Sequence, residues 1–381
     1  MNKVWYGKKA KLGVLGGGQL GRMLIQVAVN YDVHVYVMDS SKTAPCGRLA
    51  YDFVEGDIQS YEDVIAFGKD KDVVTVEIEH VNVDALEFLE KKGVKVFPQS
   101  RILRLIQDKG LQKQFYQEHN IPTAPFHFIK NREDLASYQS ELPFVQKLRK
   151  GGYDGKGVKV ISSAAQLQEG FDEPSLIESK VDFKKELSVI VARNEQGEVS
   201  AFPVVECEFN EQLNLVEFLF SPADISSEIE EKAIQLGKKV IQDLNLTGLL
   251  AVELFLTQDN QLLVNEVAPR THNSGHHTIE CNFVSQFEQH LRAILGLPLG
   301  NTELRTAGVM INLIGEEGYE GNAQYDGLEE VMKIKGVYVH LYGKQETKPG
   351  RKMGHITLVD TTVEEAKEKA RKIQKMIKVI A

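Results

Sequence analysis

Cysteine is scarce: Cys46, Cys207 and Cys281 are the 3 in 381 residues, odd in number, far apart and in no metal-ligand or redox spacing. Disulfide frameworks, zinc ribbons and dithiol chemistry are excluded as organising principles, and free thiols fit a reducing compartment. Long apolar runs are missing too. No stretch approaches the ~20 residues that cross a bilayer, and the lysine-rich Met1 to Lys11 has no apolar core of a secretory signal. The expectation is a soluble, unexported, cytoplasmic protein. Basic excess is absent as well: 45 Lys and Arg against 54 Asp and Glu leave a net charge of −9, which argues against nucleic acid or an anionic membrane as a partner. Any phosphate ligand must be met by a local cluster of cations. Internal repeats and low-complexity tracts are also lacking. What remains, 42% hydrophobic and 26% charged, is a globular composition, long enough for about two or three domains.

The start of the chain reads as a parallel α/β unit. Lys11 to Leu15 is a short apolar strand running into Gly16-Gly17-Gly18-Gln19-Leu20-Gly21, followed by a helix to about Asn30 and the β-rich Val33 to Met38. Val73 to Ile78 and Val94 to Phe97 predict further buried strands, with amphipathic helices at Tyr61 to Gly68 and Val83 to Lys92. Ile102 to Asn120 reads as one long helix and Pro122 to Pro125 as a hinge. Phe144 to Leu148 and Val158 to Ile161 are then two strands joined by a Gly-rich turn. Strand signals recur at Leu187 to Ala192, Val199 to Val205, Leu249 to Leu256 and Leu262 to Glu266, around a helix at Ile225 to Leu244, predicting mixed α and β with antiparallel pairing. Three more strands, Val309 to Leu313, Val337 to Leu341 and His355 to Val359, precede a basic amphipathic helix, Val363 to Lys378.

Four segments carry chemistry. Gly16, Gly18 and Gly21 satisfy G-x-G-x-x-G after a strand, and Asp39 closes the next strand where a dinucleotide site places its ribose acid. A nicotinamide enzyme and a tight turn without ligand both remain open on those residues. Lys147 to Gly157 concentrates cations and glycines in an acidic protein, the chemistry a polyphosphate wants, although a solvated hairpin tip has the same composition. Glu253 and Glu266 lie in apolar strands, where a carboxylate is costly unless paired or metal-bound. Neighbouring antiparallel strands could turn both toward one Mg²⁺; the other reading is a water-facing side of the sheet. The loop Glu266 to His277 adds Arg270, suited to a carboxylate, bicarbonate or phosphate, and histidines that mean little if they lie on the surface. Lys344, Arg351, Lys352 and His355 form a basic patch or a solvated turn around Pro349-Gly350.

Together the N-terminal Gly-rich turn, Gly151-Gly152-Tyr153-Asp154-Gly155-Lys156-Gly157, Asn265-Glu266-Val267-Ala268-Pro269-Arg270 with His272-Asn273-Ser274-Gly275-His276, and Gly350-Arg351-Lys352-Met353-Gly354-His355 resemble the ATP-grasp superfamily. Within it they are similar to the 5-(carboxyamino)imidazole ribonucleotide synthetases of purine biosynthesis. The resemblance implies an α/β fold with mixed α+β nucleotide domains. A Rossmann-like domain would cover 1–100, an ATP-grasp lid 101–185 with its hinge near 121–125, a large domain 186–300 and a C-terminal domain 301–381. It implies ATP and Mg²⁺ as cofactors, bicarbonate and 5-aminoimidazole ribonucleotide as substrates, and a homodimer. Lys109 and Lys147 would contact the ATP phosphates, and Gly152, Tyr153, Asp154, Gly155, Lys156, Gly157 and Val158 would cover them. Glu178, Ser179, Lys180 and Val181 would hold adenine and Glu186 the ribose. Glu253 and Glu266 would ligate Mg²⁺ beside Asn265. Gln19, Leu20, Glu77, Asn273, Lys344, Arg351 and Lys352 would bind the nucleotide substrate, with Asp154, Arg270, His272 and Lys344 at the carboxyl transfer. The first turn then serves that nucleotide and not NAD. Two departures stand out: Ala268 replaces an Asn that many relatives use as a further metal ligand, and Lys109 replaces a common Arg. The alternatives are another ATP-grasp ligase, such as a formate-dependent glycinamide ribonucleotide transformylase, and an NAD-dependent dehydrogenase.

Overall fold

Short apolar runs without polar alternation suit strands covered on both faces, and the first five strands pair in that way. The computed structural model describes residues 4–152, 157–210 and 215–381. β1 (Lys11–Leu15), β2 (His34–Asp39), β3 (Asp52–Glu55), β4 (Val73–Val76) and β5 (Lys95–Phe97) form a parallel sheet of order β3-β2-β1-β4-β5. Helices α1 (Gln19–Asn30), α2 (Tyr61–Gly68) and α3 (Val83–Lys91) cover it. The crevice between β1 and β4, where the strand order reverses, is where such sheets hold ligands.

The long helix expected over Ile102 to Asn120 is two: α4 (Ser100–Ile106) and α5 (Lys109–Glu118). Asp108 divides them. Its carboxylate caps α5 by accepting from the Gly110 and Leu111 N–H groups at 2.8 and 3.3 Å, and it takes both Nε and Nη2 of Arg149 at 2.9 and 2.8 Å. The Lys109 N–H donates to the Arg149 carbonyl at 2.9 Å. The start of α5 is thus fastened to the end of a strand that carries the next lysine.

That strand belongs to a four-stranded antiparallel sheet of order β6-β9-β7-β8: β6 (Phe126–Ile129), β7 (Phe144–Leu148), β8 (Val158–Ile161) and β9 (Ser175–Ser179). A larger sheet follows. Its path is β15-β14-β10-β12-β13-β16-β21-β19, with β11 on β10. The strands are β10 (Phe183–Arg193), β11 (Val199–Ala201), β12 (Val205–Asn210), β13 (Leu215–Ser221), β14 (Gly248–Thr257), β15 (Leu262–Ala268), β16 (Ala307–Ile314), β19 (Val337–Leu341) and β21 (Lys352–Asp360). The single strand expected over Val199 to Val205 is split into β11 and β12 because Pro203, lying between them, has no N–H to donate to a ladder. Two ribbons complete the strands: β17 (Gly321–Asn322) with β20 (Glu346–Thr347), and β18 (Gln324–Asp326) with β22 (Lys378–Ile380). Helix α10 (Val363–Met376) ends before β22, short of the expected Lys378. Among the helices between these strands are α6 (Ser227–Asp243), α7 (Thr278–Cys281), α8 (Gln286–Ile294) and α9 (Leu328–Met332).

Strand alternation decides which face of the large sheet is core. Leu250, Val252, Leu254 and Leu256 of β14 are buried with Leu187, Val189 and Val191 of β10 against Ile229, Ala233, Val240 and Ile241 of α6. Each of the Leu, Ile and Val side chains stabilises the fold by roughly 1.5–3 kcal/mol. Period-two geometry sends Glu253 to the opposite face. On the far side, α8 places Phe287, Leu291 and Ile294 among the apolar residues of α1, joining the parallel sheet to the large one.

Candidate active site

The Gly-rich turn before α1 already holds two of the protein's own carboxylates. Asp39 Oδ2 accepts from the Gly17 N–H at 2.7 Å, and Glu77 Oε1 accepts from the Leu20 N–H at 3.1 Å. Gly16 has φ +97°, and a Cβ on Gly18 would collide with the Glu77 carboxylate. Burial raises the Glu77 pKa above its ordinary value, and it occupies the first turn of α1 where a pyrophosphate would lie. This corrects the dehydrogenase alternative: Asp39 is engaged by Gly17 and, through Oδ1, by the Ser41 N–H at 3.0 Å, as a support of the turn.

Glu253 and Glu266 are directly opposed partners of the antiparallel pair β14 and β15. The register shifts between Glu253 and Leu254, leaving Asn265 as an extra residue on β15. The bulge lets Asn265 and Glu266, adjacent in sequence, serve one region. Lys147 Nζ donates to Asn265 Oδ1 at 3.0 Å, and Lys109 Nζ donates to Glu266 Oε2 at 2.7 Å. The positive charge of Lys109 holds the Glu266 carboxyl below its usual range, and Glu266 in turn raises Lys109. Glu253 goes the other way, pushed up by burial and then by the charge of Glu266. A divalent cation against both would relieve that repulsion, and hard oxygens are suitable donors. Among the described residues no group of three or more His, Cys, Asp or Glu is placed to hold a metal.

Beside them, Arg270 Nε pairs with Glu79 Oε2 at 2.9 Å, and Nη1 donates to the Thr271 carbonyl at 2.9 Å. His272 Nε2 lies 3.6 Å from Glu253 Oε1, and Nδ1 is 2.9 Å from Ser274 Oγ. Burial lowers His272 to about 3, so the ring is neutral at physiological pH and acts as a hydrogen-bonding group. Arg270, His272 and Asn273 open onto a cavity of about 730 Å³ shared with Gln19, Leu20, Glu77, Lys344, Arg351 and Lys352. Lys344 Nζ donates to the Lys352 carbonyl at 2.7 Å and Arg351 Nη1 to the Glu346 carbonyl at 2.7 Å, which fixes the turn that bears the cations. His355 does not join this basic patch. It is fully buried, stacked between His340 and His276 with centroids 4.4 and 4.7 Å apart. His276 and His277 are buried as well, contrary to a surface reading of the loop.

The residues expected to hold adenine divide. Glu178 is buried with its carboxylate turned to Lys147 at 3.1 Å and Lys113 at 3.2 Å, so only its backbone is available to a base. Ser179 and Lys180 are exposed, and Val181 is half-buried. Gly152, Gly157 and exposed Val158 flank the cover segment; Tyr153, Asp154, Gly155 and Lys156 lie outside the described residues. Sequence reasoning missed Lys113, whose signal was its i,i+4 spacing from Lys109: two cations on one face of α5 call for anions opposite. It also left Glu79 unassigned.

Glu186, on β10 two residues before Ser188, shares the face of Glu253, Ser188 being the cross-strand partner of Glu253. Burial raises it to about 7. A carboxyl raised above its unfolded value costs nothing below the unfolded pKa, and it destabilises the fold progressively as pH rises from there through the folded pKa. Glu186→Gln is therefore expected to raise the melting temperature of nucleotide-free protein by a few degrees at about pH 8 and by less at about pH 5. Thermal melts of both proteins at the two pH values check this.

Three family models match successive stretches of the chain. A ribonucleotide synthetase preATP-grasp domain matches residues 9–107, an ATP-grasp domain residues 114–287, and a phosphoribosylaminoimidazole carboxylase C-terminal domain residues 308–369. The N5-carboxyaminoimidazole ribonucleotide synthase of Bacillus subtilis is 40% identical over 357 residues, covering 92% of this chain and 91% of its own. The chloroplastic phosphoribosylaminoimidazole carboxylase of Vigna aconitifolia is 42% identical over 361 residues; the match covers 92% of this chain but only 64% of that longer relative. The N5-carboxyaminoimidazole synthase of Aspergillus clavatus, solved with ADP and 5-aminoimidazole ribonucleotide, superposes with a TM-score of 0.90 at 34% identity, covering 98% of this chain and 99% of that one. The α/β architecture with its preATP-grasp sheet is that of these enzymes, and the chain belongs to the N5-carboxyaminoimidazole ribonucleotide synthase family of ATP-grasp, ATP-dependent ligases.

Proposed function

We propose that the chain joins bicarbonate to the amine of 5-aminoimidazole ribonucleotide at the expense of ATP, giving the 5-carboxyamino nucleotide, ADP and phosphate. The observation that carries this is the continuity of two regions. Opposed Glu253 and Glu266, with Lys109 on Glu266 and Lys147 on the neighbouring Asn265, lead through Arg270 and His272 into the cavity bearing Lys344, Arg351 and Lys352. One region suits a triphosphate and the other a phosphorylated nucleoside, with space for a one-carbon acid between.

Bicarbonate is a poor electrophile because hydroxide is a poor leaving group. Transfer of the γ-phosphoryl to a bicarbonate oxygen gives carboxyphosphate. Its phosphate then leaves with the C–O bonding pair as the amine takes the carboxyl carbon and loses a proton. The protein's share is alignment and charge. Lys147 and Lys109 would exchange their carboxylate and amide partners for phosphate oxygens. Glu253 and Glu266 would hold Mg²⁺, which spreads phosphoryl charge. Arg270 would hold bicarbonate, and neutral His272 would supply a hydrogen bond without competing for the amine's proton. Gln19, Leu20, Glu77 and Asn273 would form the wall against the ribonucleotide and Lys344, Arg351 and Lys352 its phosphate pocket. Lys344 and Asp154 would stand at the carboxyl transfer, Gly152 to Val158 would cover the phosphates, and Glu178 to Val181 with Glu186 would take adenosine. A homodimer in the cytoplasm goes with this reading.

The test is Mg²⁺-dependent ADP release measured with bicarbonate and aminoimidazole ribonucleotide together, each alone, and with formate in place of bicarbonate. Release requiring both substrates is the expected result. Release driven by formate with glycinamide ribonucleotide would replace the reading with the other ligase chemistry.

A further inference from the structure

Among the described residues, Lys113 is the most deeply buried lysine outside those assigned above. It is 2% exposed, yet it lies on a helix next to the nucleotide region. Its ammonium meets Glu178 Oε1 at 3.2 Å and donates to Thr123 Oγ1 at 2.5 Å, and it stands 6.0 Å from the centre of the Phe126 ring. Thr123 in turn donates to the Val264 carbonyl at 2.7 Å, one residue before the bulged Asn265. Glu178 has a second cation, Lys147, on its other oxygen at 3.1 Å. One buried carboxylate is therefore shared by two lysines, of which only Lys147 also reaches Asn265 and the β15 bulge.

This sharing bears on how nucleotide is admitted. When Lys147 turns to phosphate oxygens, Glu178 loses half of its compensation in a buried place, and a buried carboxylate stripped of its partner is strongly unfavourable. Resting on the ATP reading above, we propose that Lys113 is a positioning residue that stays on Glu178 as its standing counter-charge and so frees Lys147 to engage a nucleoside polyphosphate. Thr123 and the Phe126 ring keep the Lys113 ammonium in place, and the fastening to Val264 keeps it in register with the bulge. Without Lys113, Glu178 retains Lys147 for itself, and nucleotide must compete with a buried ion pair.

The experiment is calorimetric titration of the full chain with ADP and Mg²⁺, alongside steady-state kinetics. Lys113→Met is expected to weaken ADP binding and raise the ATP KM about tenfold or more, with kcat within about threefold of the wild type. Removing the carboxylate removes the need for the counter-charge, so Glu178→Gln and Glu178→Gln with Lys113→Met should bind ADP equally, to within about threefold. That comparison stands even if Lys113→Met alone fails to fold, because the double variant buries no unpaired charge at these two positions. A merely structural Lys113 would weaken both pairs of proteins alike. Equal ADP affinity in wild type and Lys113→Met, or a tenfold effect of Lys113→Met persisting in the Glu178→Gln background, overturns the proposal while leaving the nucleotide site intact. Failure of the wild type itself to bind ADP removes both.

Discussion

Glu253→Gln combined with Glu266→Gln is expected to lower kcat by about three orders of magnitude or more while leaving a folded protein. The two carboxylates are direct cross-strand neighbours, and their charge is what a metal-bound triphosphate would meet. Glutamine keeps the shape and one acceptor oxygen but removes the charge. Stability should change little, because the two replacements act in opposite senses. Neutralising Glu253 relieves a carboxylate disfavoured by burial and by Glu266, whereas neutralising Glu266 takes away the partner of Lys109. Substrate-dependent ADP release and a melting curve check both halves. Near-normal turnover would remove the pair from the phosphates.

Arg270→Lys should cost about a hundredfold in kcat/KM for bicarbonate, and Arg270→Ala at least as much. Arg270 is ion-paired with Glu79, and its Nη1 donates to the Thr271 carbonyl, which holds the guanidinium at the edge of the cavity. A lysine supplies charge but not a fork held in one plane. The loss should fall on bicarbonate, with the KM for ATP moving less, and initial rates over a bicarbonate series at saturating ATP and ribonucleotide measure it. Equal losses for all three substrates would show that Arg270 supports the fold of the loop and not the one-carbon acid.

How far this was legible in the sequence depends on the range of the interaction concerned. Helix Tyr61–Gly68 and strands Phe144–Leu148 and Val158–Ile161 coincide with expectation because capping and apolar periodicity are local. The break at Asp108 had a local signal that the apolar periodicity overrode: an N-cap Asp followed by the Gly110 and Leu111 N–H groups it accepts from, with its hold on Arg149, far along the chain, the part no local pattern shows. Apolar strands around Glu253 and Glu266 announced a pair of costly acids. The bulge that brings Asn265 into their company depends on the β14 and β15 register, which no local pattern encodes. Asp39 shows the same limit inverted. Its spacing from the glycines fits a ribose acid, yet the contact it makes is with the Gly17 N–H, because Glu77 and Asp39 themselves supply the anions that the turn attracts. Sequence left the exposure of His276 and His277 open and put His355 in a basic patch; all three are interior, and His276 stacks on His355.

One property of the large sheet reaches beyond the chemistry. Five strand spacings separate β14 from β21, which on a flat sheet would be about 24 Å. Lys352 at the start of β21 nevertheless lines the same cavity as His272, which reaches Glu253 of β14. The sheet must curl until strands distant in its order face each other across the hollow, like a horseshoe drawn nearly shut. A polypeptide that has not yet reached residues 344–352 therefore lacks the wall of cations that faces His272 across the hollow, so the two sides of the cavity meet only once the late strands are laid down.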